Sequence, residues 1–304
     1  MAVRSAAPPL AAPRGRLRLG GPGGPRAGAM ARAGGGGWLL ALPLGFLTIF
    51  LLGPLLMVAL SAGGITGLHH ALTDRLVGDA LGRTLLIALL VTGSSLLLGV
   101  IYALALVSTR GVVRAALVGA LLASFWVSVL VRTLGWELLE EPHGLLDSAL
   151  HALRLLDPSA HLEILQTTRG MAPAMVNVML PYMVLPVWAA LGSLDRDQLR
   201  AARSLGASPW LVLTRVVLPQ ARTGIAAGAL LTFTLSLGFY ITPRLLGGPA
   251  DVTIGALVGS QFEASQTGDI SEPAAVGLLL VAAVLVLYAV SDRVLRVSDA
   301  WSRA

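Results

Sequence analysis

Six apolar runs divide the chain: Trp38–Leu60, Thr84–Val107, Val112–Val131, Met171–Leu191, Gly224–Thr242 and Pro273–Val290. Each approaches the ~20 residues that carry a helix across a bilayer. None contains Asp, Glu or His, and the single Arg, Arg114, stands near the start of the third. A charge at the middle of a span would cost about 2.5–3.5 kcal/mol, so uncharged centres fit membrane helices. The pattern predicts an all-α membrane protein with six transmembrane helices. The first run is longer than the apolar core of a signal peptide, about 7–15 residues, and is expected to remain as a span.

The polar segments are unlike one another. Residues 1–36 are mainly Ala, Pro, Gly and Arg, with no acid, and predict a disordered basic tail, solvated or touching lipid head groups. Residues 37–295 form the membrane domain, and 296–304 a short C-terminal tail. Of 22 basic residues, all Arg, 16 lie on one side if both termini are inside. The positive-inside rule then puts both termini in the cytoplasm. Twelve of the 16 acidic residues fall on the outer side. The basic charge is spread over segments rather than gathered in one patch, so no nucleic-acid partner is expected.

The stretch Asp195–Ile225 carries the densest local signals. Asp195 and Gln198 have the spacing of a capping box. Gly206 suits a helix stop, Ser208 a second cap, and Pro209 the first position of the next helix. Pro219 is expected to end or kink that second helix. Leu199, Ala202 and Leu205 fall at helical spacing and predict one apolar stripe.

Arg200-Ala201-Ala202, then Gly206, then Val216-Val217-Leu218-Pro219, resembles the EAA loop of ABC-importer permeases (the MetI-like type). The resemblance implies that residues 193–222 form a coupling loop docked on a cytoplasmic ATPase, with Leu199, Arg200, Ala201, Ala202, Leu205, Gly206, Ala207, Ser208, Pro209 and Pro219 at the contact. Arg200 stands where that family has Glu, which reverses the charge there. Val131–Trp136, Gly144–Leu146, Pro181–Pro186, Arg244–Pro249 and Gln261-Phe262 are similar to the spermidine/putrescine-type branch. The match is looser at Ser271–Ala275. In all, the resemblance covers about residues 38–295.

It implies the rest of the machine: a second permease subunit forming a heterodimer, an ABC ATPase dimer, an external solute-binding protein, and a bacterial inner membrane as the site. ATP and Mg would be used by the partner ATPase, with no cofactor on this chain. Candidate path residues are Trp136, Asn177, Thr232, Ser236, Phe239 and Tyr240. Their rings and hydroxyls could meet a polyamine's ammonium groups or serve helix packing. Aminoethylphosphonate, opines and iron are the alternative solutes.

The rival class is a polytopic enzyme. No lysine is present for a P-loop or a Schiff base, and no cysteine for thiol chemistry. Asn177, Pro181 and Pro186 are the notable residues of the fourth run, the prolines suiting a wall that bends. His143, His151 and His161 are scattered through the loop at Arg132–Gly170 with Glu140, Glu141 and Asp147, and no metal site is expected there. Within that loop, Leu145–Leu156 predicts an amphipathic helix lying along the interface.

Overall fold

The computed structural model describes residues 37–155, 157, 161–265 and 269–301. The basic tail at 1–36 lies outside them. Two units separate, Met1–Gly53 and Pro54–Ala304. The first contains helix α1 (Gly37–Leu47) and a π-helical turn at Thr48–Leu52, with the Phe46 and Phe50 rings stacked at 4.4 Å.

The second unit runs from α2 (Gly53–Ser61) through α3 (Gly64–Thr73), α4 (Arg75–Ser108), α5 (Gly111–Trp126), α6 (Val129–Glu140), α7 (Leu145–Ala152) and α8 (Thr168–Gly192). It continues with α9 (Arg196–Ser204), α10 (Pro209–Val212), α11 (Leu218–Gln220), α12 (Arg222–Leu237), α13 (Ile241–Leu246), α14 (Ile254–Ala264) and α15 (Ser271–Trp301). No strand occurs among the described residues. The last helix continues through residues 296–301, the first part of the segment set apart as a tail.

Four stretches are long and apolar enough to cross a membrane: Ala41–Ser61, Arg75–Ser108, Thr168–Gly192 and Ser271–Ala289. The count reaches the expected six if each of two bent helix pairs, α5 with α6 and Pro209–Gln220 with Arg222–Leu237, is one span, but two expected runs are not straight rods. The run Val112–Val131 is not one rod, because the chain turns by 104° between α5 and α6. The Arg132 guanidinium donates back across this turn to Ser124 Oγ at 2.7 Å, tying the two limbs. Thr133 Oγ1 meets Thr242 Oγ1 at 2.9 Å, which holds α6 against α13. The run Gly224–Thr242 also breaks, at Gly238–Tyr240, before α13 begins. Gly255 and Gly259 of α14 receive that break: a Cβ at 255 would meet the Phe239 carbonyl at 3.1 Å, and one at 259 would strike the Tyr240 ring.

The centre of the unit is the meeting of α4, α8 and α12. Helix α8 keeps Pro173, Pro181 and Pro186 inside one continuous helix, so the bend expected from them does not become a break. Small residues let the neighbours approach its backbone, as close packing in lipid requires. A Cβ on Gly99 of α4 would lie 2.5 Å from Met183 Cγ. One on Gly228 of α12 would lie 3.0 Å from the Met183 carbonyl oxygen. At Gly224 it would meet the Pro186 carbonyl oxygen and the Ala190 Cβ, both at 2.5 Å. Met183 is therefore gripped from two sides and fully buried.

The loop ahead of α8 carries a short helix, as expected; it ends at Ala152, and Leu156 of the expected range lies outside the described residues. On α7, Leu145 is 74% exposed, Leu146 and Leu150 are half-buried, and Asp147 is 2% exposed. Polar contacts hold Asp147 inward. The Leu162 N–H donates to Asp147 Oδ1 at 2.9 Å, and His161 Nδ1 lies 3.2 Å from Oδ2. These contacts, led by the Leu162 N–H, hold the Asp147 carboxyl below its usual range. Thr168, at the start of α8, donates through N and Oγ1 to Asp251, fixing the helix to the loop before α14.

Gly224→Ala is expected to lower stability by about 1–3 kcal/mol, since α8 backbone must move. Gly192→Ala, where a Cβ meets nothing, is the control. Thermal unfolding of the two variants in detergent compares them, and an unchanged midpoint for Gly224→Ala would refute the tight crossing.

Candidate functional site: an exposed elbow and an open cleft

The elbow between α8 and α12 folds on its own local chemistry. Asp195 Oδ1 accepts from the Asp197 N–H at 2.9 Å and starts α9. The reciprocal half of the expected capping box is absent. Gln198 Oε1 accepts instead from Gln220 Nε2 at 2.9 Å, which ties α9 to α11. Helix α9 ends in a Schellman closure, with the Gly206 N–H on the Arg203 carbonyl and the Ala207 N–H on the Ala202 carbonyl. Gly206 sits at φ +77°, a conformation that costs other residues about 1–2 kcal/mol. Ser208 Oγ then accepts from the Leu211 N–H at 3.3 Å and Pro209 opens α10.

A π-helical turn at Leu213–Val217 follows, just before Pro219. Proline's ring crowds the carbonyl four residues back, and a widened turn relieves that contact. Pro219 therefore does not end the helical path. Pro209–Gln220 and Arg222–Leu237 meet at 66°.

The predicted stripe on α9 is split. Leu199 and Ala202 are half-buried, whereas Leu205 is 87% exposed. Leu199, Ala207 and Pro209 line a cavity of about 520 Å³ with the ends of α4 and α8, including Val107 and Leu191. Ala201, Leu205, Gly206, Ser208 and Pro209 are exposed. Trp210, which sequence reasoning passed over, is 72% exposed beside them, and Leu211 is 45% exposed. Its signal was available: an aromatic residue directly after a Ser-Pro helix start. Arg200 pairs with Asp197 at 3.1 Å on its own helix, both ends in solvent, an arrangement that contributes little to stability.

The candidate path residues fall into four places. Trp136 and Asn177 come together on a cavity of about 610 Å³ between α4, α6 and α8, with Ser94 and Arg169 also on its wall. Thr232 and Ser236 are buried within α12, where Ser236 Oγ donates to the Thr232 carbonyl at 2.8 Å. Phe239 packs against the core around Met171 and Met175. The Tyr240 hydroxyl donates to Glu263 Oε1, whose second oxygen takes Arg244 at 3.1 Å. The Arg244 hydrogen bond, then that of Tyr240, holds the Glu263 carboxyl below its usual range.

Residues 95–303 match the family of binding-protein-dependent transport system inner membrane components. The chain belongs to that family. The spermidine/putrescine transport system permease protein PotB of Escherichia coli is 31% identical over 194 residues, 64% of this chain and 70% of that one. The inner membrane ABC transporter permease protein YdcU of Escherichia coli is 32% identical over 218 residues, 68% of each chain. The sulfate transport system permease protein CysW of Synechocystis is 30% identical over 256 residues, 82% of this chain and 90% of that one. The fold matches a chain of the bacterial alginate ABC transporter with a TM-score of 0.68 at 17% identity, over 84% of this chain and 92% of that one. This is thus a multi-pass membrane permease subunit of the ABC-importer type, not an enzyme.

Gly206→Ala is expected to cost the elbow about 1 kcal/mol, since the added methyl meets nothing and only the backbone conformation resists it. Amide hydrogen exchange over residues 205–211 should then quicken about fivefold. Unchanged exchange would mean that the elbow does not depend on that conformation.

Proposed function

We propose that this permease subunit transmits ATP-driven motion to a path for a polyamine of the spermidine or putrescine kind. It pairs with a second, different permease subunit, docks an ABC ATPase dimer at the elbow, and receives solute from an external binding protein. ATP and Mg are used on the ATPase, and no cofactor is needed on this chain. The elbow and both termini face the cytoplasm, in keeping with the arginine distribution. The observation that carries this reading is the elbow itself. It offers Leu205, Trp210 and thin Ala201 on a surface stiffened by the Gly206 turn, with no core of its own to bury them. Exposed apolar side chains grouped on a polar loop fit a protein partner.

The route of the motion follows from connectivity. The elbow begins where α8 ends and finishes where α12 starts, and those two helices are packed together at Gly224 and Gly228. A pull on the elbow therefore acts on both at once. Helix α8 also carries Asn177 to the larger cavity, whose size suits a small solute. Trp136 offers a ring face there to an ammonium group.

One observation favours a second reading. Arg169 lies on the same wall, and a guanidinium repels a polycation while attracting an anion. An anionic solute such as a phosphonate or sulfate would use it. Reconstituted uptake separates the two. Under the polyamine reading, putrescine competes with spermidine uptake and sulfate or aminoethylphosphonate does not. Under the second, uptake of the anion is lost in Arg169→Gln.

Docking by shape rather than charge gives its own expectation. Leu205→Glu and Trp210→Glu should each reduce solute-stimulated ATP hydrolysis at least tenfold, about 1.4 kcal/mol or more, with the subunit still in the membrane. Arg200→Glu should leave the rate within about twofold, because its present partner is on its own helix. Wild-type hydrolysis in both apolar variants would remove the elbow as the docking surface.

A further inference from the structure

The five histidines of the chain are not evenly used. Two of them, His151 and His161, converge on the buried carboxylate of Asp147, and a third, His143, lies against His161. His161 Nδ1 lies 3.2 Å from Asp147 Oδ2 and His151 Nε2 lies 3.8 Å from Oδ1. One ligand atom from each of Asp147, His151 and His161 can be chosen so that all three lie within 4.8 Å of one another. The His143 ring stacks on that of His161 at a centroid distance of 4.1 Å.

We propose that Asp147, His151 and His161 bind one divalent transition-metal ion, with zinc the best fit. Four features of the arrangement support it. Asp147 and His151 are four residues apart on α7, so one helix face presents two ligands, the spacing by which helices commonly hold zinc. Zinc–nitrogen and zinc–oxygen bonds of about 2.0–2.2 Å place neighbouring tetrahedral ligand atoms about 3.3 Å apart. The Asp147–His161 pair already has that separation, whereas His151 lies nearest Oδ1 at 3.8 Å and must shift to complete the set. The donor set, two imidazoles and one carboxylate, suits zinc or its neighbours rather than the oxygen cages that calcium and magnesium take. Finally, the carboxylate is oriented from behind, because the Leu162 N–H holds Oδ1 and leaves Oδ2 directed at His161. Such outer partners are what fix a metal ligand in place.

Water would complete the coordination, while His143 stacks on the His161 ring. His143 adopts φ +71°, an uncommon backbone conformation for a non-glycine residue, and so is held there by its surroundings. An ion at this point would clip α7 to the segment at His161–Ile164 that leads into α8, closing the loop between residues 151 and 161. A plain carboxylate–imidazole cluster without metal is the competing account, and it makes different predictions.

The test uses the full-length subunit in detergent, carrying an affinity tag without histidine and stripped with EDTA. Titration with Co(II) should give the visible absorption of a low-symmetry site, saturating at about one ion per chain and abolished by Zn(II). His151→Gln and His161→Gln should each weaken Co(II) binding by roughly tenfold or more, while the His69→Gln/His70→Gln double variant leaves it unchanged. Zn(II) should raise the thermal midpoint of the wild type and not that of His161→Gln, a comparison that holds even if the variant is less stable at the outset. No saturable Co(II) binding, or binding indifferent to His151→Gln and His161→Gln, would overturn the proposal.

Discussion

The approach of α12 and α4 to the backbone of α8 is the constraint from which the rest of the unit follows. In lipid there is no hydrophobic gain from bringing two apolar helices together, so contact must come from close packing. Gly99, Gly224 and Gly228 make it possible by leaving no side chain between the helices, and Met183 fills the space they open. This arrangement also explains why three prolines do not break α8. A proline frees the carbonyl four residues before it and removes one rung of the helix ladder. Packing on both sides keeps such a helix continuous, while leaving it fewer internal bonds to resist movement.

Seen from this crossing, the elbow is not an appendage. Its two ends are the C-terminus of α8 and the N-terminus of α12, the same pair that the glycines press together. The Gln198–Gln220 bond and the Schellman closure stiffen the turn between them. Under the proposed role, a partner that grips Leu205 and Trp210 holds a short handle joined to α12 through the π-helical turn and the 66° bend beside Ala221. Those points lie toward α12, so a displaced elbow would swing α12 more readily than it would bend α9.

What could be seen in the sequence followed the range of the forces involved. The elbow was legible nearly residue by residue, because capping by Asp195 and Ser208 and the left-handed turn at Gly206 are local events. Span centres were legible too, since lipid penalises charge at every position alike. The turn at Val127–Ser128 was hidden inside an apolar run, with no Gly or Pro to mark it. It is held by Arg132 on Ser124 and by a hydroxyl pair between residues 133 and 242, and the second of these cannot be read from neighbours in the chain. The candidate path set mixed wall and core for a similar reason. Helix rotation decides whether Thr232 meets a cavity or a neighbour, and uniformly apolar helices carry no stripe to reveal it. Asp147 and His151 stand four residues apart on α7, but the sequence reading passed over them as a pair, and nothing in the local sequence brings His161 to them.

The cavity poses the sharpest problem in the electrostatics of the subunit. Its wall offers Trp136 and Asn177, which could meet a cation, and Arg169, which opposes one. No acidic residue lines it, so nothing there can hold an ammonium group by charge. A passage that bound its solute strongly would also release it slowly, so a weakly attracting wall is compatible with rapid transfer. It cannot, however, select one cation over another. Under the proposed role, discrimination would then come before the solute reaches this chain, at the binding protein that delivers it, or from acids that a second permease subunit contributes from the facing side. The solute preference of the proposed assembly would then be shared with those partners rather than set by this subunit, and likeness among permeases of different solutes is what such sharing would produce.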